Sequence, residues 1–212
     1  MTRTSNKLKV INSFNPRVQY EWRAKSRYGD DMRIIGTESP PAVRSILIGR
    51  RIYRLAFPWI YYFLIFSGNR FHTISLFYGK RSITINSRLY LPCLSNIHDN
   101  WICGACFDTV EVYGPRDWHK VIEEFWAGKF NWSDSAMLVE KYGTRDKYHL
   151  TLADWQAMSA SDPEKIYNFP WLPAEFENGG SSIGDYLESV ADYFGTAREA
   201  IEPATRQRKR SE

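Results

Sequence analysis

All three cysteines and one of the four histidines of the chain fall within fourteen residues, in the spacing Cys93-x4-His98-x4-Cys103-x2-Cys106. Two chemistries use these residue types. The first is a structural zinc site. Three thiolates and one imidazole suit the tetrahedral preference of zinc, and a Cys-x2-Cys pair such as Cys103 and Cys106 bends so that both sulfurs meet one ion. Cys93 and His98 would supply the other half. The second is a reactive thiol. A thiolate is a strong nucleophile, and a nearby imidazole such as His98 helps to ionise it or serves as a base.

The stretch from Arg88 to Gly104, RLYLPCLSNIHDNWICG, resembles the active-site approach of ubiquitin-conjugating enzymes. It is more similar still to their prokaryotic relatives, the ubiquitin-conjugating-enzyme-like family typified by PRTRC system protein B. Shared features are the Leu-Tyr segment at 89–90, Asn96-Ile97, a polar turn and Ile102-Cys103. The upstream aromatic strand after Phe57-Pro58 and the downstream Trp118…Phe125-Trp126 helix extend the likeness over residues 40–130. Ser95 stands where the family has Pro, and Leu94 where the eukaryotic enzymes have His. The Asn96-to-Cys103 interval is one residue shorter than usual, and the turn lacks its Gly.

The resemblance implies a ubiquitin-conjugating-like α+β fold and a transthiolation activity. Cys103 would accept an acyl group from a thioester and pass it to an amine. Asn96 would donate a hydrogen bond to the oxyanion, and His98 would act beside the thiol. Asp108 and His119 are lesser candidates for positioning the amine. The implied partners are a ubiquitin-like modifier and its activating enzyme, in a system carried by a bacterium, plasmid or phage. The alternative is a non-enzymatic binding or assembly module, with or without a structural zinc on Cys93, His98, Cys103 and Cys106.

Other signals are weaker. The segment Arg50-Arg51-x-x-Arg54, with Tyr53 and Trp59 as stacking rings, has the parts of a phosphate-contacting surface. A basic strand edge that discourages aggregation accounts for it more simply. The tail Arg206-Gln-Arg-Lys-Arg210 reads as a solubilising end, so no nucleic-acid partner is expected. No Walker loop, Gly-x-Gly-x-x-Gly or His-Glu-x-x-His occurs. With 43% hydrophobic and 25% charged residues over 212 positions, the chain is neither wholly disordered nor a coiled coil. Three cysteines do not make a secreted disulfide scaffold, and the N-terminus has no apolar core of signal-peptide length. A cytoplasmic setting is therefore expected. The longest apolar run, Leu55–Phe66, is twelve residues with Pro58 inside it, short of the ~20 a membrane-spanning helix needs.

Charge divides the chain. Residues 1–60 carry a net +8 and residues 111–200 a net −8. We divide it into a basic, extended segment over 1–39, a core over 40–130, an acidic helical extension packed on that core over 131–200, and a basic frayed tail over 201–212. Strands are expected at Trp59–Phe66, His72–Tyr78 and Ser82–Ile85, with 89–91 extended. These should pair as an antiparallel meander of about four strands. The spacing of residues 42–49 suits a short helix. Pro115 opens a helix whose apolar face is Trp118, Val121, Ile122, Phe125 and Trp126, with a stop at Gly128. Further helices are expected over Asp134–Lys141, after the Thr151 cap, and from Ile183 to Phe194. Strands followed by helices argue for α+β.

Overall fold

The computed structural model describes residues 18–25, 31–94, 97–98, 101–102, 113–128, 130 and 150–193; at 18–19, 98 and 101–102 only the backbone is described. Four long antiparallel strands form the main sheet. They are β1 (Val18–Lys25), β2 (Asp31–Ser39), β5 (Trp59–Ser67) and β6 (Arg70–Gly79), in the order β1-β2-β5-β6. A separate antiparallel pair, β3 (Ala42–Ile48) and β4 (Arg51–Phe57), is inserted between β2 and β5.

Proline explains the insertion. Ser39 is paired with Ile60 at the end of the β2–β5 ladder, and the chain then meets Pro40-Pro41. Proline has no N–H for a ladder, so the strand stops and the chain leaves the sheet. Pro58 ends β4 in the same way, and Trp59 starts β5. Both hairpins turn on a glycine with positive φ: Gly49 at 60° and Gly68 at 59°. Tight hairpin turns require that conformation, which residues with a Cβ avoid.

The sheet is covered on both faces, so β5 is apolar throughout: its residues from Ile60 to Phe66 are all buried. One face presents Ile35, Tyr62, Leu64, Phe66, Ile74, Leu76 and Tyr78 to the β3–β4 hairpin and to helices α1 (Trp118–Ala127), α2 (Leu152–Ser161) and α3 (Glu164–Tyr167). The other presents Trp22, Met32, Ile34, Tyr61, Phe63, Ile65 and Phe77 to α4 (Ile183–Tyr193) and to Ile83, Leu89 and Ala174. Placement of Ile74 and Leu76 on one face and Phe77 on the other agrees with the alternation in the sequence.

Close packing of β1 on β2 depends on Gly36. A Cβ there would come within 2.7 Å of Trp22 Cζ3. Gly36→Ala is therefore expected to cost about 1–3 kcal/mol, seen as a lower urea midpoint with an unchanged m-value.

Three expectations are corrected. Residues 42–48 form β3, not a helix, because each residue pairs across to β4 from Ala42↔Phe57 to Ile48↔Arg51. Ser82–Ile85 is not a strand. Ser82 Oγ and the Ile83 N–H both donate to the Glu38 carboxylate, at 2.7 and 2.5 Å, and Thr84 N donates to Ser87 Oγ, so side chains take the groups a ladder would use. Residues 18–25 and 31–39, read as part of an extended basic segment, are full members of the sheet. The segment 89–91 is extended as expected. The helix after Pro115 forms over Trp118–Ala127, preceded by a 3-10 turn at Pro115–Asp117, and Thr151 caps α2 by accepting from Asp154 N at 3.1 Å. The expected helix Asp134–Lys141 lies outside the described residues. Among those described, no helix is long and apolar enough to cross a membrane.

Candidate functional site: the chain along the edge of β6

The cysteine window is attached to the free edge of β6 by backbone hydrogen bonds at three heights. Tyr78 and Tyr90 exchange both of theirs, at 2.8 Å (Tyr78 N to Tyr90 O) and 3.0 Å (Tyr90 N to Tyr78 O). Ser75 pairs with Trp101 in the short strand β8 (Trp101–Ile102). Phe71 N donates to Tyr113 O at 3.1 Å. Tyr90, Trp101 and Tyr113 thus meet β6 in order from its C-terminal to its N-terminal end. The strand β7 (Ile97–His98) pairs with β8 in the register Ile97↔Ile102 and His98↔Trp101.

The approach to the window is held equally firmly. Leu89 N donates to Ser181 O at 2.8 Å, Ala174 N to Leu89 O at 2.9 Å, and Leu91 N to Leu172 O at 2.8 Å. This segment is thus zipped between β6 and the chain leading into α4. Pro92, Cys93, Leu94 and Ile97 are buried beyond it. Cys93 belongs to the core cluster with Tyr78, whose hydroxyl lies 4.0 Å from its sulfur. That is the setting of a thiol packed as a small apolar side chain.

Of the residues singled out from the sequence, Asn96, Cys103, Cys106 and Asp108 lie outside the described residues, as does the side chain of His98. For the zinc set Cys93, His98, Cys103 and Cys106, only the Cys93 side chain is therefore described. Among the described residues no group of three or more His, Cys, Asp or Glu side chains is close enough to hold a metal.

His119 is brought to a different place. With Thr37, Ser39, Pro40, Tyr62, Ile122 and Glu123 it lines a cleft of about 530 Å³ between α1 and the ends of β2 and β5. Ser39 Oγ is 3.5 Å from Tyr62 OH, which also accepts from Trp126 Nε1 at 2.9 Å. Burial pushes the Tyr62 phenol up from its ordinary value. The sequence carried a signal for this cleft only in the i, i+4 pair His119 and Glu123; Thr37 and Ser39 come from a strand that lacked a clear pattern. The arginine surface also differs from expectation. Arg50, Arg51 and Arg54 are exposed, but Tyr53 is buried and Trp59 packs against the core on the α4 side of the sheet. Neither ring is presented for stacking beside those arginines.

No protein-family model, curated protein or solved structure matches the chain.

Proposed function

We propose that the chain is a ubiquitin-conjugating-like acyl carrier in which Cys103 is the acceptor thiol. The observation that supports this reading is the attachment of the window to β6. Ile97 pairs with Ile102 in the β7–β8 pair, and in the sequence Asn96 precedes the first of these and Cys103 follows the second. An antiparallel sheet, then this edge segment, then helices is also the order that the resemblance implies.

The chemistry balances in two steps. The Cys103 thiolate adds to the carbonyl carbon of a modifier thioester; the new C–S bond forms and the donor leaves as a thiolate. An amine then adds to the Cys103 thioester, gives up a proton to a base, and forms an amide as Cys103 leaves as a thiolate. His98 is the proposed base. Asn96 is the proposed donor to the oxyanion, an interaction whose loss elsewhere costs roughly 3–4 kcal/mol. The partners are a ubiquitin-like modifier and its activating enzyme.

Two measurements on the native protein test the assignment of the thiols. Iodoacetamide followed by peptide mass mapping should label Cys103 at least about tenfold faster than Cys93, which is buried. Equal rates at all three cysteines would contradict an activated Cys103. Native mass spectrometry with and without a chelator should show no bound metal. One zinc per chain, lost together with folding, would make Cys103 a ligand and replace the carrier reading by the zinc-held binding module.

A further inference from the structure

On β1 and β2 two arginines stand directly opposite each other, Arg23↔Arg33, on the same face of the sheet. Like charges in that position repel. One carboxylate holds both: Arg23 Nε donates to Glu21 Oε1 at 3.1 Å, and Arg33 Nε lies 3.2 Å from the same oxygen. Glu21 is 7% exposed, whereas the Arg23 and Arg33 side chains are 46% and 29% exposed. The neighbouring acid, Asp31, is taken by Lys25 Nζ at 2.7 Å. Lys25, with Arg23 and Arg33 nearby, holds the Asp31 carboxyl below its ordinary value. The five groups leave one positive charge in surplus.

We infer that Arg23 and Arg33 form a binding site for a phosphoryl group. Each guanidinium engages Glu21 through Nε. Among the described residues neither has a hydrogen bond from its Nη groups, so the outer edge of each fork is available. Guanidinium forks match oxyanions by paired N–H donors. A planar carboxylate fills one fork. A tetrahedral phosphoryl group offers oxygens in two directions and can engage both. The arginines stand on a registered strand pair and share a buried anchor, so the two forks are held in place before the ligand arrives. The site is independent of Cys103 and of the proposed transfer.

The test is an NMR titration of the arginine Nε–H signals of the full chain with inorganic phosphate, at fixed ionic strength, with acetate and O-phosphoserine in parallel. Saturable shifts at Arg23 and Arg33 are expected, with acetate at least about tenfold weaker. Arg33→Lys and, separately, Arg23→Lys keep the charge but lose the fork. Each should weaken phosphate binding about tenfold with Tm unchanged. O-phosphoserine binding as tightly as phosphate, or tighter, supports a phosphate ester as the ligand; weaker binding supports free phosphate. Non-saturating shifts, an equal response to acetate, or lysine variants that bind as well as the parent would overturn the site.

Discussion

Trp155→Ala is expected to destabilise the chain by about 3–5 kcal/mol, the range for removing a large buried aromatic side chain. Trp155 is 1% exposed and its ring meets Phe57 and Trp171 edge-on, with centroids 5.2 and 6.1 Å apart. Its second role is polar. Trp155 Nε1 donates to Ala56 O at 2.8 Å, Ala56 N donates to Ser159 Oγ at 2.8 Å, and Ser159 Oγ donates to Trp155 O at 2.6 Å. Helix α2 thereby satisfies both backbone groups of Ala56 on the edge of β4 that pairs with no further strand among the described residues. Trp155→Phe keeps most of the ring but leaves the Ala56 carbonyl without its donor, which should cost about 1–3 kcal/mol. Ser159→Ala should fall in the same range by orphaning the Ala56 N–H. The two effects should not add, because they act within one network. Urea denaturation measures all three. A loss below about 1 kcal/mol for Trp155→Ala would mean that α2 does not hold β4 in this way.

A steep loss of stability above pH 10 is the second expected result. Tyr62 and Tyr186 are both fully buried, and burial raises both phenol pKa values above the ordinary 10. Tyr186 OH also donates to Ser75 Oγ at 2.8 Å, within the sheet face that α4 covers. The sign follows from linkage. Below pH 10 these phenols are protonated in both the folded and unfolded chain, so their contribution is constant and fully present. Above pH 10 the unfolded chain loses these protons while the folded chain keeps them. Stability then falls as pH rises, approaching about 1.4 kcal/mol per pH unit for each such group, until the folded-state values are reached. Urea midpoints measured between pH 9 and pH 11 should show this fall. Tyr186→Phe should reduce the slope. A pH-independent midpoint across that interval would mean that the phenols ionise in the folded chain, and that the packing of α4 on the sheet is wrongly described.

The parts of the fold that were legible in the sequence are those with an uninterrupted local signal. β5 and β6 are dense in aromatic and β-branched residues, and the turn between them carries Gly68. α1 and α4 have helical spacing together with Pro115 or Ser182 at their starts, and α2 has the Thr151 cap. β3 was illegible as a strand because its inward residues, Ile46 and Ile48, are flanked by the half-buried Arg44 and Leu47, which blurs the alternation. Its conformation is imposed by β4 across the turn, a contact that sequence spacing does not display. β1 did carry a period of two, with Tyr20, Trp22 and Ala24 alternating with Glu21, Arg23 and Lys25. Its charged face looked like a solvated tail, yet it holds the Arg23–Glu21–Arg33 cluster.

The candidate site follows the same division. The residue types in the cysteine window suggested thiol or metal chemistry. The way the window is held did not show, because Tyr90, Trp101 and Tyr113 attach to β6 through backbone groups that every residue has. The burial of Cys93 against Tyr78 is likewise a property of the fold, and it separates one cysteine of the window as a packing residue.

The most direct measurement is the intact mass of the native chain after incubation with a short peptide α-thioester, before and after hydroxylamine, which cleaves thioesters. One peptide adduct per chain is expected, removed by hydroxylamine and absent from Cys103→Ser, with Cys93→Ser and Cys106→Ser still modified. No adduct on the folded chain, or an adduct that survives Cys103→Ser, would contradict Cys103 as the acceptor.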